Sequence, residues 1–354
     1  MTKQGKPAML VRQAKEIARQ WVTAEAAALP CFCGAFLHGS INELPDDAVL
    51  PGTSDVDIVI VLDTAEPPAK PGKLPDRGAL LEVSYLPLDQ LRDAEQVLGV
   101  SHLAGSFRTP GILLDPSGAL TQLQAAVASN FARRKWVVRR CEHAQEKALA
   151  SLRALDEPAP FPEQAIKVLF GTGLTTHVLL AAGLKNLTVR KRYLAARELL
   201  AAYGYADFYP ALLELLGCSR MTRARCEHHL ARLAQVFDAA KSAIRTPFFF
   251  ASDLSDRARP IAIDGSRELI ETGSHREAVF WLAVTYSRCQ IVLARDAPAG
   301  VQEQLQPGYR ELLGDLGMGS MADLQQRRRQ VEAFLPRVWQ VAQSIIAANP
   351  EIEE

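Results

Sequence analysis

Two aspartates one residue apart, Asp55 and Asp57, are the residues of this chain whose types and spacing best suit a chemical reaction. They lead into the apolar run 58–62, which is typical of a β-strand. Because strand side chains alternate between faces, Asp55 and Asp57 are predicted to share one face and Val56 and Ile58 the other. Like charges on one face repel, and a divalent cation removes that cost. Carboxylate oxygens suit Mg²⁺, which commonly joins protein carboxylates to substrate phosphates, so the pair predicts a magnesium site.

A Gly-Ser pair and a third carboxylate are candidates for the rest of this site. Gly39 and Ser40 follow the apolar residues Phe36 and Leu37. A glycine there lets backbone N–H groups approach a phosphate closely, and the serine adds a hydroxyl. Glu82 lies in a later apolar stretch that we predict to be a strand. The alternative for Glu82 is an ordinary polar residue on the solvated face of a sheet.

Together these residues resemble the pattern of the DNA polymerase beta-like nucleotidyltransferase superfamily. That pattern is a strand, a Gly-Ser pair, a variable loop, Asp-x-Asp on the next strand, and a third carboxylate on a later strand. The resemblance covers the first third of the chain. The loop 41–54 is slightly longer than in the usual pattern and carries Pro45, Pro51 and Gly52, as a tolerated surface insertion would.

The resemblance implies a reaction in which a hydroxyl of an acceptor attacks the α-phosphorus of a nucleoside triphosphate, with ATP the expected donor, and pyrophosphate leaves. It implies that Asp55, Asp57 and Glu82 are the catalytic and metal-binding residues, with Mg²⁺ as cofactor. Glu82 would either complete a second metal site or take the proton of the acceptor hydroxyl. The candidate nucleotide-binding residues are Gly39, Ser40, Ser54 and Lys167.

Lys167 is the candidate from the second part of the chain, on a predicted helix that is otherwise apolar. Helical domains of this superfamily often supply a lysine or arginine to the triphosphate, and lysine suits that role as a point charge. The alternative is that its side chain simply reaches solvent past the apolar face.

The elements that must position these residues fall into two parts. We predict an α/β (α+β) fold class, with a small mixed-sheet nucleotidyltransferase domain at 1–131 followed by an all-helical domain at 132–354. The predicted strands are 31–37, 55–62, 79–86 and a short one near 112–118; the predicted helices are 11–29, 88–98 and 120–131; and 64–76 is predicted to be a loop. In the helical part we predict breaks at 156–162, 183–188, 204, 217–220, 245–260 and 296–300.

Composition narrows the class of protein. The chain has 354 residues, enough for two domains, and 48% apolar residues, enough for a packed core. Lys+Arg and Asp+Glu are both 40, and this zero net charge argues against general nucleic-acid binding. The six cysteines show no metal or disulfide spacing. With no leader and no membrane span recognised, we expect a cytoplasmic protein.

These features favour a metal-dependent nucleotidyltransferase that modifies a small-molecule acceptor with a free hydroxyl. The two-part plan resembles the aminoglycoside- and lincosamide-modifying adenylyltransferases, so an aminoglycoside-like antibiotic is one expected acceptor. One alternative is nucleotidyl transfer to RNA or to a protein, as in nucleotidylating toxins. Another is a non-catalytic nucleotide-binding module on the same scaffold. Some relatives build their site between two subunits, which leaves a homodimer open.

Overall fold

The computed structural model describes residues 9–354 of the chain, which divides into two compact units between Phe131 and Ala132. The predicted fold class is confirmed, since a mixed sheet with helices is followed by an all-helical region. The first residues of the chain, where the sequence predicts no leader, lie outside the described part.

The first unit is built on one sheet, which has five strands within the described residues. The strands are β1 (Phe32–His38), β2 (Val56–Leu62), β3 (Gly72–Asp76), β4 (Ala79–Pro87) and β5 (Ile112–Leu114). Their spatial order is β3-β4-β2-β1-β5. Strands β2 and β4 run parallel and the other neighbours antiparallel, so the sheet is mixed as predicted.

Strand β3 corrects the prediction that 64–76 is a loop, because the second half of that segment pairs with β4. The residues of this strand are poor strand formers, and Pro75 removes one backbone donor. Proline is tolerated here because β3 is an edge strand. The hairpin turns through Arg77 and Gly78, which both have positive φ, as a two-residue type I′ turn requires.

The helices of the first unit are α1 (Val11–Trp21), α2 (Ala94–Gly99), α3 (Ser101–Ala104) and α4 (Ala119–Asn130). The predicted helix 11–29 is α-helical only to Trp21 and continues as one π-helical turn to Ala26. The predicted helix 88–98 is also broken: a 3₁₀ turn comes first, and α2 starts where the Asp93 carboxylate accepts a hydrogen bond of 2.9 Å from the Glu95 N–H.

The two faces of the sheet differ as the alternation predicts. Val56, Ile58 and Ile60 are fully buried in a core shared with α1. On the opposite face the Phe36 and Phe107 rings pack with centroids 4.7 Å apart. Asp55 and Asp57 are on the opposite face from Val56 and Ile58, away from α1.

The turn from β5 into α4 is held by Asp115, which accepts hydrogen bonds of 2.8 Å from both the N–H and the hydroxyl of Thr121. We expect Asp115→Ala to lower the free energy of unfolding by about 1 kcal/mol, as loss of a helix cap does. Burial alone would raise the pKa of Asp115, but the hydrogen bonds outweigh it and lower that pKa. The carboxylate therefore stabilises the fold fully above its unfolded pKa of about 3.9, and this contribution disappears as the pH falls through the lower folded pKa.

Denaturant unfolding of Asp115→Ala and wild type at pH 7 and at pH 3 measures this loss, with the exposed loop substitution Asp47→Ala as control. The difference between Asp115→Ala and wild type should shrink at pH 3. A difference that grows on acidification would contradict a stabilising role for the ionised carboxylate.

The second unit, taken by itself, is a bundle of helices. These are α5 (Arg134–Arg153), α6 (Phe161–Ala182), α7 (Arg192–Ala202), α8 (Tyr209–Leu216), α9 (Arg223–Ala243), α10 (Gly265–Glu271), α11 (His275–Asp296), α12 (Ala299–Asp315) and α13 (Met321–Ala348). Every predicted break falls at or next to the end of a helix. Two further breaks, at 272–274 and 316–320, were not predicted.

The centre of this bundle is formed by α6 and α11, whose residues are mostly buried. The Phe170 and Phe280 rings connect the two helices edge to face, with centroids 5.8 Å apart. Helix α6 is long and apolar enough to cross a membrane, but 78% of its most apolar window is buried inside the structure. A mostly buried core helix can have the same length and apolar composition as a helix that crosses a membrane.

Candidate metal centre

Four polar residues form a row across four neighbouring strands on the face of the sheet opposite α1. Lys73 of β3 pairs with Glu82 of β4, Glu82 with Asp57 of β2, and Asp57 with His38 of β1. Residues in register on one face of a sheet are close neighbours, so the sheet itself assembles the site. Asp55, two residues before Asp57, is on the same face.

The three carboxylates predicted from the sequence lie together. Asp55, Asp57 and Glu82 each offer an oxygen, and these oxygens are all within 4.8 Å of one another. Each residue is partly buried. Among the residues that the structure describes, this is the one group of three or more acidic, histidine or cysteine side chains close enough to hold a metal ion. Its all-oxygen, carboxylate donor set fits a hard cation such as Mg²⁺.

Two lysines place positive charge in the same cluster. The Lys73 ammonium forms ion pairs with both Asp55 and Glu82, and its side chain is only 5% exposed. The Lys70 ammonium lies 3.2 Å from the other Glu82 oxygen, and its side chain is 31% exposed. The Lys73 ammonium therefore lies between Asp55 and Glu82, two of the three candidate ligands. The carboxylates at this point of the cluster thus attract a positive charge.

The two carboxyls that Lys73 contacts have shifted pKa values in opposite directions. Burial raises the pKa of Asp55, and the Lys73 ammonium offsets only part of that rise. Burial alone would also raise the pKa of Glu82, but Lys73 and Lys70 together outweigh it and lower that pKa to about 2. Glu82 is therefore the firmly ionised partner of the two lysines, and Asp55 is the carboxyl that binds a proton more readily.

Gly39 lies against the carboxylate cluster. Its φ of +69° lies in the left-handed region that favours glycine. A methyl group built on its Cα would overlap the Oδ2 atom of Asp57. The absence of a side chain at Gly39 is thus what leaves room for the Asp57 carboxylate, a role in addition to the phosphate contact predicted from the sequence.

His38 supports the end of strand β1 beside Asp57. Its Nδ1 and the hydroxyl of Ser106 share a hydrogen bond of 2.6 Å. Burial lowers the pKa of His38, and the charge of Glu82 offsets this only in part. The imidazole is therefore neutral near pH 7, and its hydrogen bond links the strand to the segment that contains Ser106.

The other candidates from the sequence are placed as follows. Ser40 is exposed in a 3₁₀ turn, Gly39–Asn42, directly after β1. Ser54 is half-buried and precedes Asp55, and its N–H donates to the carbonyl of Pro51 at 3.0 Å. Lys167 belongs to the helical unit, where its ammonium donates to the carbonyl of Ala154 at 2.7 Å. This is a contact within the helical unit.

The sequence interpretation missed both lysines of the cluster, and of the two it is Lys73 that lies on a strand. A signal for it does exist, because a two-residue hairpin loop at Arg77 and Gly78 pairs Asp76 with Ala79. Counting back from that pair puts Lys73 opposite Glu82.

Comparison of the chain with protein-family models and with curated proteins gives no match. The geometry of the site and the resemblance of its motifs are therefore the basis for any functional conclusion.

Proposed function

We propose that this protein is a metal-dependent nucleotidyltransferase that moves a nucleoside monophosphate, AMP from ATP, to a hydroxyl of a small-molecule acceptor and releases pyrophosphate. The observation that carries the proposal is the cluster of Asp55, Asp57 and Glu82, whose oxygens lie within 4.8 Å of one another next to Gly39. The order of these residues along the chain is that of the superfamily their motifs resemble.

Each residue of the cluster has a part in this proposal. Asp55, Asp57 and Glu82 would hold Mg²⁺, which when bound neutralises charge on the attacking and leaving oxygens of a phosphoryl transfer. Gly39, without a side chain, keeps the Asp57 carboxylate in place and leaves the backbone open toward the phosphates. Ser40, exposed beside it, offers a hydroxyl to the same phosphates.

The acceptor is proposed from the charge of the chain and from its two-part plan. Zero net charge suits a small acceptor better than a polynucleotide. A mixed-sheet unit followed by a helical unit resembles the antibiotic-modifying adenylyltransferases, so an aminoglycoside-like antibiotic is the first acceptor to test. A cytoplasmic location stays part of the proposal, as expected from the sequence, and the resemblance leaves a homodimer open.

The experiment is thermal unfolding of the full chain with each nucleoside triphosphate, with and without Mg²⁺. A ligand that binds only the folded state stabilises it by about 2.7 kcal/mol when present at 100 times its Kd. We expect ATP to raise the melting temperature only when Mg²⁺ is present, with AMP and EDTA as controls. Release of pyrophosphate with a panel of hydroxyl-bearing acceptors then tests transfer itself. If no triphosphate shifts the transition, the proposal fails.

A second candidate is a non-catalytic nucleotide-binding module, and one observation favours it. The Lys73 ammonium already pairs with Asp55 and Glu82, so the cluster has a structural counter-charge of its own. In that case a triphosphate would raise the melting temperature equally with Mg²⁺ and with EDTA. No pyrophosphate would be released from the triphosphate with any acceptor.

A further inference from the structure

Lys73 is fixed in the carboxylate cluster by the sheet. Its backbone pairs with that of Glu82, and both residues lie on the hairpin that turns at Arg77 and Gly78. The position of Lys73 therefore follows from the register of this hairpin. Its side chain is 5% exposed, whereas those of Asp55 and Glu82 are 19% exposed. The ammonium is thus the most buried charge of the group.

A buried charge is stable only when it is paired, and Lys73 is paired with Asp55 and with Glu82. If its side chain moved to solvent, both carboxylates would lose their counter-charge within a cluster that also holds Asp57. Lys70 could not replace it, because Lys70 reaches Glu82 from a more exposed position. These contacts therefore favour a Lys73 side chain that remains inside the carboxylate cluster.

A divalent cation cannot occupy the point between Asp55 and Glu82 where the ammonium lies. Sites that hold two metal ions place them about 3.5–4 Å apart, bridged by shared carboxylates. One oxygen of each carboxylate lies within 4.8 Å of the other two, and the ammonium is bonded to oxygens of Asp55 and Glu82. A second divalent ion between Asp55 and Glu82 would lie against a positive charge and would be repelled.

We propose that Lys73 takes the place of one of the two metal ions that such a cluster would otherwise bind, so that the site accepts a single divalent cation. Lys73 is then a positioning residue, which holds Asp55 and Glu82 as ligands for that one ion. This inference rests on the metal dependence in the proposed function. The number of metal ions bound would then depend on the β3–β4 hairpin, because its register places Lys73 beside Glu82.

The number of Mn²⁺ ions bound per chain tests this directly, with Mn²⁺ alone as the probe and the free ion measured by electron paramagnetic resonance. We expect one ion in the wild-type chain and two in Lys73→Met. This substitution removes the positive charge and keeps a side chain of similar length. Lys73→Arg, which keeps a cation, should bind one. Lys70→Met is the matched control: it also removes a positive charge from Glu82, but it should leave the count at one.

Two Mn²⁺ ions in the wild-type chain would overturn the role of Lys73 and leave the proposed function standing. One ion in a folded Lys73→Met would overturn it as well. No Mn²⁺ in the wild type would remove the metal centre, and both the proposed function and this inference would fail. If Lys73→Met does not fold, Lys73→Gln, which also removes the charge, takes its place: two ions would support the inference and one would overturn it.

Discussion

Asp57→Asn is expected to abolish the Mg²⁺-dependent binding of nucleoside triphosphate while the fold survives. Asn is nearly isosteric with Asp, so the backbone pairs of Asp57 with His38 and with Glu82 remain. The substitution removes one charged oxygen from a cluster in which three carboxylates share a span of 4.8 Å. Groups that only support metal ligands change affinity or activity about 10- to 100-fold, so the loss of a direct ligand should cost at least about 100-fold.

This loss of affinity can be measured as a smaller stabilisation of the folded state by the triphosphate. At a triphosphate concentration 100 times the wild-type Kd, a variant that binds 100-fold more weakly is stabilised by only about 0.4 kcal/mol, against about 2.7 kcal/mol for wild type. Without ligand, Asp57→Asn should melt at or slightly above the wild-type temperature, because one of three neighbouring negative charges is gone.

Asp63→Asn is the matched control, since Asp63 follows the same strand but is exposed beyond its end. It should keep the full Mg²⁺-dependent shift. A wild-type response in Asp57→Asn would remove Asp57 from the metal centre. A large fall in its melting temperature without ligand would point instead to a structural role for the carboxylate.

The strands that carry the carboxylates could be predicted because their signal is local. In β2 and β4 the apolar residues alternate or run together over seven to nine residues, which indicates strands whatever the rest of the chain does. The parity of Asp55 and Asp57 then follows from the pleat alone. Their proximity to Glu82 followed from the resemblance, because nothing local shows that β2 and β4 are parallel neighbours.

Strand β3 and its lysine could not be predicted from composition, because Pro71, Gly72 and Pro75 are typical of loops. What makes the segment a strand is the edge that β4 offers and the tight turn at Arg77 and Gly78. The sequence interpretation therefore described the anionic half of the site and missed its cationic half.

The same limit applies to residues whose partners are far along the chain. Lys167 lies in an apolar helix whether its ammonium reaches a ligand, solvent or a protein carbonyl, and only the structure shows the bond to Ala154. The contact between Gly39 and Asp57 is of this kind too, because it depends on the antiparallel register of β1 and β2.

Gly39→Ala is expected to lose most of the Mg²⁺-dependent response to nucleoside triphosphate through Asp57, without removing any functional group. A residue other than glycine in the left-handed region costs about 1–2 kcal/mol of stability. The added methyl would in addition overlap Asp57 Oδ2, and the carboxylate must move to make room. Because a displaced ligand weakens a metal site, we expect triphosphate binding with Mg²⁺ to fall at least about 10-fold.

Gly118→Ala separates these two effects, because Gly118 has a φ of +76° but nothing within 4 Å of an added methyl. Both variants should lose the same backbone contribution of about 1–2 kcal/mol to the free energy of unfolding, since both place alanine in the same backbone region. Only Gly39→Ala should lose the Mg²⁺-dependent rise in melting temperature. If both keep it, Asp57 does not depend on the space at Gly39. If both lose it in proportion to their stability, the ligand response reports on the fold of the unit and not on the metal centre.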